Sequence, residues 1–244
     1  MLINYSTKLL TMPQSVAILA AVSGRPSKNQ IYVQFARVGQ ALASGKRLEV
    51  LDLLGQAPRH VEALAVEMKM SVPSVSQHLG VLRHAGLVES ERQGTKMVYR
   101  LTDESVLRLW LALRTVAESR LAELTVLYSI LKGERSREGV VGFGEMSSLL
   151  EEGAWCLIDV RPLIEYGSGH IPGAISMPVD ELPSRMEELT RDRPVIAYSR
   201  GKYCLLADKA AAVLRLRGFQ ASRLKEGWTE WKLEARPVLE TAAG

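Results

Sequence analysis

The sequence predicts two domains, a mainly α front part and an α/β back part whose parallel sheet carries flanking helices. Three observations predict this. The 244 residues are enough for two small domains, since one domain takes about 150 residues on average. Apolar positions recur at steps of three and four up to about residue 131, whereas beyond residue 140 short apolar runs alternate with helical stretches. Between these regions Lys132 to Gly139 (KGERSREG) is polar, charged and carries two glycines, which reads as a linker. The expected boundaries are an extension at 1–28, a front domain at 29–131, the linker at 132–139 and a back domain at 140–244.

Composition narrows the classes. With 47% hydrophobic and 24% charged residues the chain is ordinary globular protein, neither disordered nor fibrous. No apolar run approaches the ~18 residues of a membrane span. Two cysteines, Cys156 and Cys204, cannot build a disulfide scaffold or a four-cysteine zinc site, and they fit a cytoplasmic protein. No metal and no cofactor is expected. Val16 to Val22 (VAILAAV) has the look of a secretory signal, but only Lys8 precedes it, so an extension or short helix is expected. Residues 1–28 hold three basic and no acidic side chains, while 140–244 hold 13 basic against 15 acidic. A basic front and a mildly acidic back suit different partners.

In the front domain Ile31, Phe35, Val38 and Leu42 make one helix face. Ser44 is placed to cap a second helix through Leu48, Leu51 and Leu54, which Gly55 is expected to end. A third helix is predicted over Val61–Met68 and, after the turn Lys69-Met70-Ser71, a fourth over Val72–Ala85. Val72, Val75, Leu79 and Leu82 form its expected core face, and Gly86 its end. Leu87–Arg92 and Met97–Leu101 predict a hairpin turning at Gln93-Gly94. One long helix is then expected over 103–131. Its stripe Leu107, Trp110, Arg114, Ala117, Leu121, Leu124, Tyr128 and Leu131 steps by three and four, which reads either as a dimer seam or as an internal packing stripe.

Two helices joined by a tight turn and followed by a hairpin make a winged helix-turn-helix. Ser74, Ser76, Gln77 and Arg83 stand on the face of the fourth helix opposite its core, with His78 on the surface or facing DNA. Short hydrogen-bonding side chains there suit base edges and phosphates in a major groove. Arg92, Gln93, Thr95 and Lys96 cluster at the hairpin tip, within reach of a DNA backbone; the plain alternative is a solvated turn.

The stretches ALASGKRLEVLDLL (41–54) and VEALAVEMKMSVPSVSQHLGVLRHAGLVESERQGTKMVYRLT (61–102), with the helix that follows, resemble the ArsR/SmtB family of bacterial repressors over about 29–125. The resemblance implies a homodimer, here through residues 29–43 and 103–131, bound to an inverted repeat in double-stranded DNA, and repression as the expected mode. Metal-sensing members carry cysteines before the turn or histidines on the last helix. This chain has Pro58 to Glu62 at the first place and no histidine at the second. His60, His78 and His84 are isolated, so metal sensing is not expected.

In the back domain Trp155–Val160, Pro194–Tyr198 and Ala221–Leu224 are predicted strands, and Leu205–Arg217 a helix. Between Tyr198 and Leu205 six residues curl into a loop ahead of the helix. Backbone N–H groups at such a place favour anions, and Arg200 and Lys202 add positive charge. Three motifs, LIDVRPLIEYGSGHIPGAISMP (157–178), YSRGKYC (198–204) and LKEGWTEWK (224–232), resemble the rhodanese family in order and spacing. The resemblance implies a rhodanese-like fold and places the catalytic loop at Ser199, Arg200, Gly201, Lys202, Tyr203 and Cys204. In active members the first loop residue is a cysteine that carries sulfur as a persulfide. Here it is Ser199, whose hydroxyl cannot form a persulfide. Either a native cysteine has been replaced, or the loop is naturally degenerate.

Three functions stand open at this point. One is a regulator whose second domain senses reactive sulfur or another small anionic, thiol-reactive effector. The second is a sulfurtransferase, if position 199 is natively cysteine, with an accessory winged helix. The third is a degenerate rhodanese serving as an interaction module. Cys204 is either a redox partner of that loop or a small filler, and Cys156 a packed thiol. Asp159 and Arg161 are expected to pair and brace the loop, His170 to hold a turn, and Trp228 and Trp231 to lie in the core. Leu205 directly after Cys204 speaks against the longer loop of related phosphatases.

Overall fold

The computed structural model describes residues 27–133, 139–151 and 155–234. The expected extension up to residue 26, with Val16–Val22, the linker residues 134–138 and the end of the back domain after 234 lie outside the described residues. The chain divides into a short unit ending at Ala41 and a long unit from Leu42. The short unit's described residues belong almost wholly to helix α1 (Lys28–Leu42), whose Ile31, Tyr32, Val33 and Phe35 are exposed.

The long unit begins with α2 (Gly45–Gln56), β1 (Arg59–His60), α3 (Val61–Glu67) and α4 (Val72–His84). His60 caps α3: its Nδ1 accepts from the Ala63 amide at 3.2 Å. Lys69 takes the left-handed conformation in the turn (φ 52°), and Ser71 Oγ accepts from the Ser74 amide at 3.4 Å to start α4. Val75, Leu79 and Leu82 are buried, but Val72 is 38% exposed, so the expected core face starts one turn later. Gly86 (φ 75°) ends α4, where the Leu87 amide reaches back to Leu82 O at 3.0 Å. Strands β2 (Val88–Gln93) and β3 (Lys96–Leu101) pair antiparallel with β1 on the far side of β3. The hairpin turns at Gly94 and Thr95, one residue later than expected.

Two expectations fail here. Gly55 does not end α2, which runs to Gln56; it is a contact point where a Cβ would lie 2.8 Å from Leu107 Cδ1. A missing side chain in a helix interior lets a neighbouring helix approach. The long helix is also two: α5 (Glu104–Arg120) and α6 (Ala122–Lys132), broken at Leu121 (φ −108°, ψ 98°). The predicted stripe is therefore not one seam. Leu107 is buried, Trp110 Nε1 donates to Asp52, and Arg114 and Tyr128 bond to the back domain; of the stripe Leu121 and Leu131 are exposed, and so are Leu109, Leu113, Val116, Val126, Leu127 and Ile130 beside it.

Among the described residues the back domain is a five-stranded parallel sheet in the order β4-β8-β7-β5-β6. The strands are β4 (Val140–Val141), β5 (Cys156–Asp159), β6 (Ile175–Ser176), β7 (Val195–Tyr198) and β8 (Ala221–Leu224). Side chains alternate between two cores, as strand geometry requires. Ile158, Val195 and Ala197 pack on one face with Leu214 of α10 (Leu206–Leu216). Leu157, Ile196 and Tyr198 pack on the other with Phe143, Trp228 and Trp231. Phe143 opens α7 (Phe143–Glu151), and both tryptophans sit in α11 (Trp228–Leu233). Short helices α8 (Leu163–Gly167) and α9 (Leu182–Arg185) complete the set.

Candidate functional site

Strand β7 is buried along its length and ends at Tyr198; α10 starts at Leu206. The loop Ser199–Cys204 lies between them. Beneath it Asp159 and Arg161, both fully buried, form a closed network. Arg161 Nη2 meets Asp159 Oδ2 at 2.5 Å and also donates to Gly169 O at 2.8 Å. Tyr198 donates its hydroxyl to Asp159 Oδ2 at 2.6 Å and accepts from the Ile171 amide at 3.1 Å. Burial, then the Asp159 charge, pushes the Tyr198 phenol well above its usual range, which keeps it a donor. The Arg161 guanidinium also lies 4.9 Å from the Trp228 ring centroid.

The start of α11 holds the loop from the side. The Trp228 amide donates to Ser199 O at 2.9 Å, and the Thr229 amide and hydroxyl donate to Arg200 O at 3.1 and 2.9 Å. Gly227 must be glycine for this contact, because a Cβ there would lie 2.4 Å from Gly201 N. The front domain joins in through Gln56 at the end of α2. Its amide nitrogen donates to Thr229 Oγ1 at 2.7 Å, and its oxygen accepts from Arg161 Nη1 at 3.4 Å.

The loop's charges are already matched. Arg200 donates to Glu165 at 2.6 to 3.0 Å and meets Glu67, the last residue of α3, at 2.7 Å. Glu165 is fully buried and also takes Arg59 Nη2 from β1. Burial would lower the Arg200 pKa, but these carboxylates raise it. Lys202 Nζ and the Tyr203 hydroxyl both donate to Glu118 of α5, each at 2.7 Å. Burial opposes ionisation of Glu118, yet these two donors hold its carboxyl below the usual range. Burial and the Glu118 bond push the Tyr203 phenol up to about 12. Tyr128 donates to Lys202 O at 3.1 Å, and Arg114 meets Glu230 at 2.6 Å. The expected free positive field of Arg200 and Lys202 is thus neutralised by carboxylates, two of them on the winged-helix segment. What stays uncommitted is backbone: the amides of Arg200, Gly201, Lys202 and Tyr203 have no acceptor among the described residues.

Ser199 is 3% exposed, and Cys204 is half-buried, its amide bonded to Gly201 O at 3.0 Å. Cys156 is a half-buried thiol against the sheet core, and burial pushes its pKa up. His170 is buried, stacked on Tyr166 at 3.8 Å and bonded to Tyr166 O, a turn-holding position. Trp228 and Trp231 are core.

On the winged helix, Ser76, Gln77 and Arg83 of α4 are exposed, and Ser74 and His78 are half-buried. Ser74 Oγ is 2.8 Å from Ser71 Oγ and belongs to the helix cap as well. At the wing tip Arg92 Nε donates to Gly94 O at 3.1 Å, and Lys96 is exposed. Glu89 and Glu91 are held by Arg100 at 2.6 and 3.2 Å, which offsets one of their two negative charges on the wing.

Sequence reading missed Gln56, Arg59, Glu67, Glu118 and Glu165. One signal was available: Arg114 interrupts an apolar stripe, with Glu118 four residues on beside it, and a charge in such a row calls for a partner. Among the described residues no group of three or more His, Cys, Asp or Glu could hold a metal ion, and no helix is long and apolar enough to cross a membrane.

Comparison with known proteins agrees with this architecture. The arsR family of bacterial regulatory proteins matches residues 44–90, and the rhodanese-like domain matches 143–234. The chain is 44% identical over 209 residues to the HTH-type transcriptional regulator Rv0324 of Mycobacterium tuberculosis, covering 86% of this chain and 92% of that protein. It is 40% identical over 84 residues to the regulator NmtR of the same organism, covering 34% of this chain and 70% of that one. Among solved structures, the homodimeric winged helix-turn-helix DNA-binding domain Mb0332 of Mycobacterium bovis is 41% identical, covers 41% of this chain and 94% of that domain, and has a TM-score of 0.38. With a full-length relative at this identity, the chain belongs to the ArsR family of transcriptional regulators and carries a rhodanese-like domain behind its winged helix.

Proposed function

We propose that this regulator reads its effector at the Ser199–Cys204 loop, and that the effector is reactive sulfur or another small thiol-reactive anion. The observation that carries the reading is the pair of ionic links from loop to winged helix, Arg200 to Glu67 and Lys202 to Glu118. Glu67 ends α3, and Ser71, four residues on, caps the helix that carries Gln77. An anion or persulfide arriving at the uncommitted loop amides competes with Glu67 and Glu118 for the same cations. The released carboxylates then alter the support of α4 and α5, and DNA affinity changes.

The rest of the reading follows the domain division at 29–131 and 140–244. A cytoplasmic homodimer forms through 29–43 and 103–131, using the exposed apolar rows of α1 and of α5 and α6, each exposed in its own unit. It represses from an inverted repeat, with Ser74, Ser76, Gln77, His78 and Arg83 at base edges or phosphates and Arg92 and Lys96 on the backbone. The test is operator binding by Ser199→Cys protein, with the inverted repeat selected by the chain from random duplexes. Polysulfide is expected to change Kd by about fivefold or more, the lower range of allosteric coupling. An unchanged Kd with rapid cyanide-dependent thiosulfate turnover would replace this reading with a sulfurtransferase.

A further inference from the structure

A cavity of about 450 Å³ opens between α2, α5 and the loop, lined by Leu48, Asp52, Leu53, Trp110 and Cys204 among others. A volume of this size suits a small ligand. Its carboxylates are not equivalent. Glu49 is paired with Lys46 at 2.8 Å, and Glu67 with Arg200 at 2.7 Å. Asp52 has no basic partner in contact among the described residues. Its Oδ1 accepts from Trp110 Nε1 at 3.0 Å, and its Oδ2 has no hydrogen-bond partner among the described residues. Burial pushes its carboxyl up, while Trp110, and Arg114 and Arg200 through space, partly oppose this. Asp52 is half-buried, and an acid with one oxygen uncommitted gains from a cationic donor brought by a ligand. Leu48, Leu53 and Trp110 give the cavity an apolar part, Arg114 and Arg200, both held by carboxylates, line it as well, and Cys204 is a free thiol on the same lining.

We propose that this cavity takes a small ammonium-bearing disulfide, with its ammonium on Asp52 Oδ2, its methylenes on Leu48, Leu53 and Trp110, and its sulfur presented to Cys204. The proposal rests on the reading that the loop is where effector arrives, and it names a second chemistry there that does not require a cysteine at 199. The step is thiol–disulfide exchange. Cys204 Sγ attacks one ligand sulfur; a bond from Cys204 to that sulfur forms and the ligand's own S–S bond breaks. The departing half leaves as a thiol and takes up the proton Cys204 gave up. Cys204 is oxidised to a mixed disulfide and the departing half is reduced.

The probes are cystamine (cationic), bis(2-hydroxyethyl) disulfide (neutral) and dithiodiglycolate (anionic), reacted with the full chain at pH 8. Adducts on Cys204 and Cys156 are quantified by peptide mass spectrometry, with rates normalised to a free cysteine amide. Cystamine is expected to label Cys204 about tenfold faster than the neutral probe, the value of one favourable charge contact worth 1.4 kcal/mol. Cys156 should show no charge order. Asp52→Asn, which keeps an oxygen for Trp110, should lower the preference to under about threefold by the same conversion. Equal normalised rates for the three probes on the unaltered chain would overturn the proposal without any variant, as would a preference that survives Asp52→Asn. Operator binding by the cystamine adduct is read separately. Selective labelling that leaves operator Kd unchanged would sink the effector reading of the loop and leave the cavity assignment standing.

Discussion

Replacing Glu165 by Gln isolates the carboxylate on which the two domains converge. The amide fills the same volume, so no cavity term enters. The charge, however, is fully buried and serves Arg59 from β1 and Arg200 from the loop. Arg200 keeps Glu67 at 2.7 Å, whereas Arg59 is 5% exposed and its Nε has no partner among the described residues. Breaking a buried pair by removing one partner costs about 3–5 kcal/mol, because the other charge stays buried. The second carboxylate at Arg200 discounts this, so about 3 kcal/mol is expected. Urea unfolding at pH 7, followed by tryptophan fluorescence and by far-UV circular dichroism, measures it. The two probes should also separate in the variant, since the domains lose a shared group. A loss below about 1 kcal/mol, the range of a surface pair, with coincident transitions would refute the argument that this carboxylate ties the domains together.

Other expectations follow from the same contacts. Asp52 is an acid whose folded value is raised, so it costs stability as pH rises from the unfolded value of about 3.9 through the folded one. Asp52→Asn should therefore melt higher than the parent at pH 7, with the difference vanishing below about pH 4 in thermal scans. Gly227→Ala would place a Cβ 2.4 Å from Gly201 N and 2.6 Å from Ser199 O, backbone atoms that cannot rotate away. It should cost about 3 kcal/mol, the upper end for overpacking, in urea unfolding. Lys96→Ala should lower the salt slope of DNA binding by about 1 across all sequences, whereas Gln77→Ala should relax preference at one base pair by about 1–3 kcal/mol. Salt-titrated anisotropy on matched and mismatched duplexes separates the two.

The parts of the fold that declare themselves in local pattern were legible. The short apolar runs WCLIDV and PVIAY, alternating with helical stretches, predicted buried parallel strands, and Leu157 and Ile158 do face opposite cores. The start of α4 is written in the side chain of Ser71, which caps it, and its stop in Gly86, which takes a positive φ. Other features leave no local trace. Strands β4 and β6 have two residues each, too few for a period. The break at Leu121 lies in Arg-Leu-Ala-Glu, with no proline or glycine to mark it. Gly55 looks like a terminator because glycine is common after helices, but Leu107 packs against it from 52 residues away. The loop residues themselves were legible from spacing. The carboxylates that meet them, Glu67, Glu118 and Glu165, come from three distant segments, and only packing brings them together.

In the proposed regulation the Arg200–Glu67 pair carries the state of the loop to the DNA-binding helices. The direct measurement is a double-mutant cycle on operator Kd with Glu67→Gln, Arg200→Gln and the double variant. Each single change is expected to alter Kd by about fivefold or more, and their coupling to exceed about 1 kcal/mol. Single effects under twofold, or effects that add within about 0.3 kcal/mol, would contradict it.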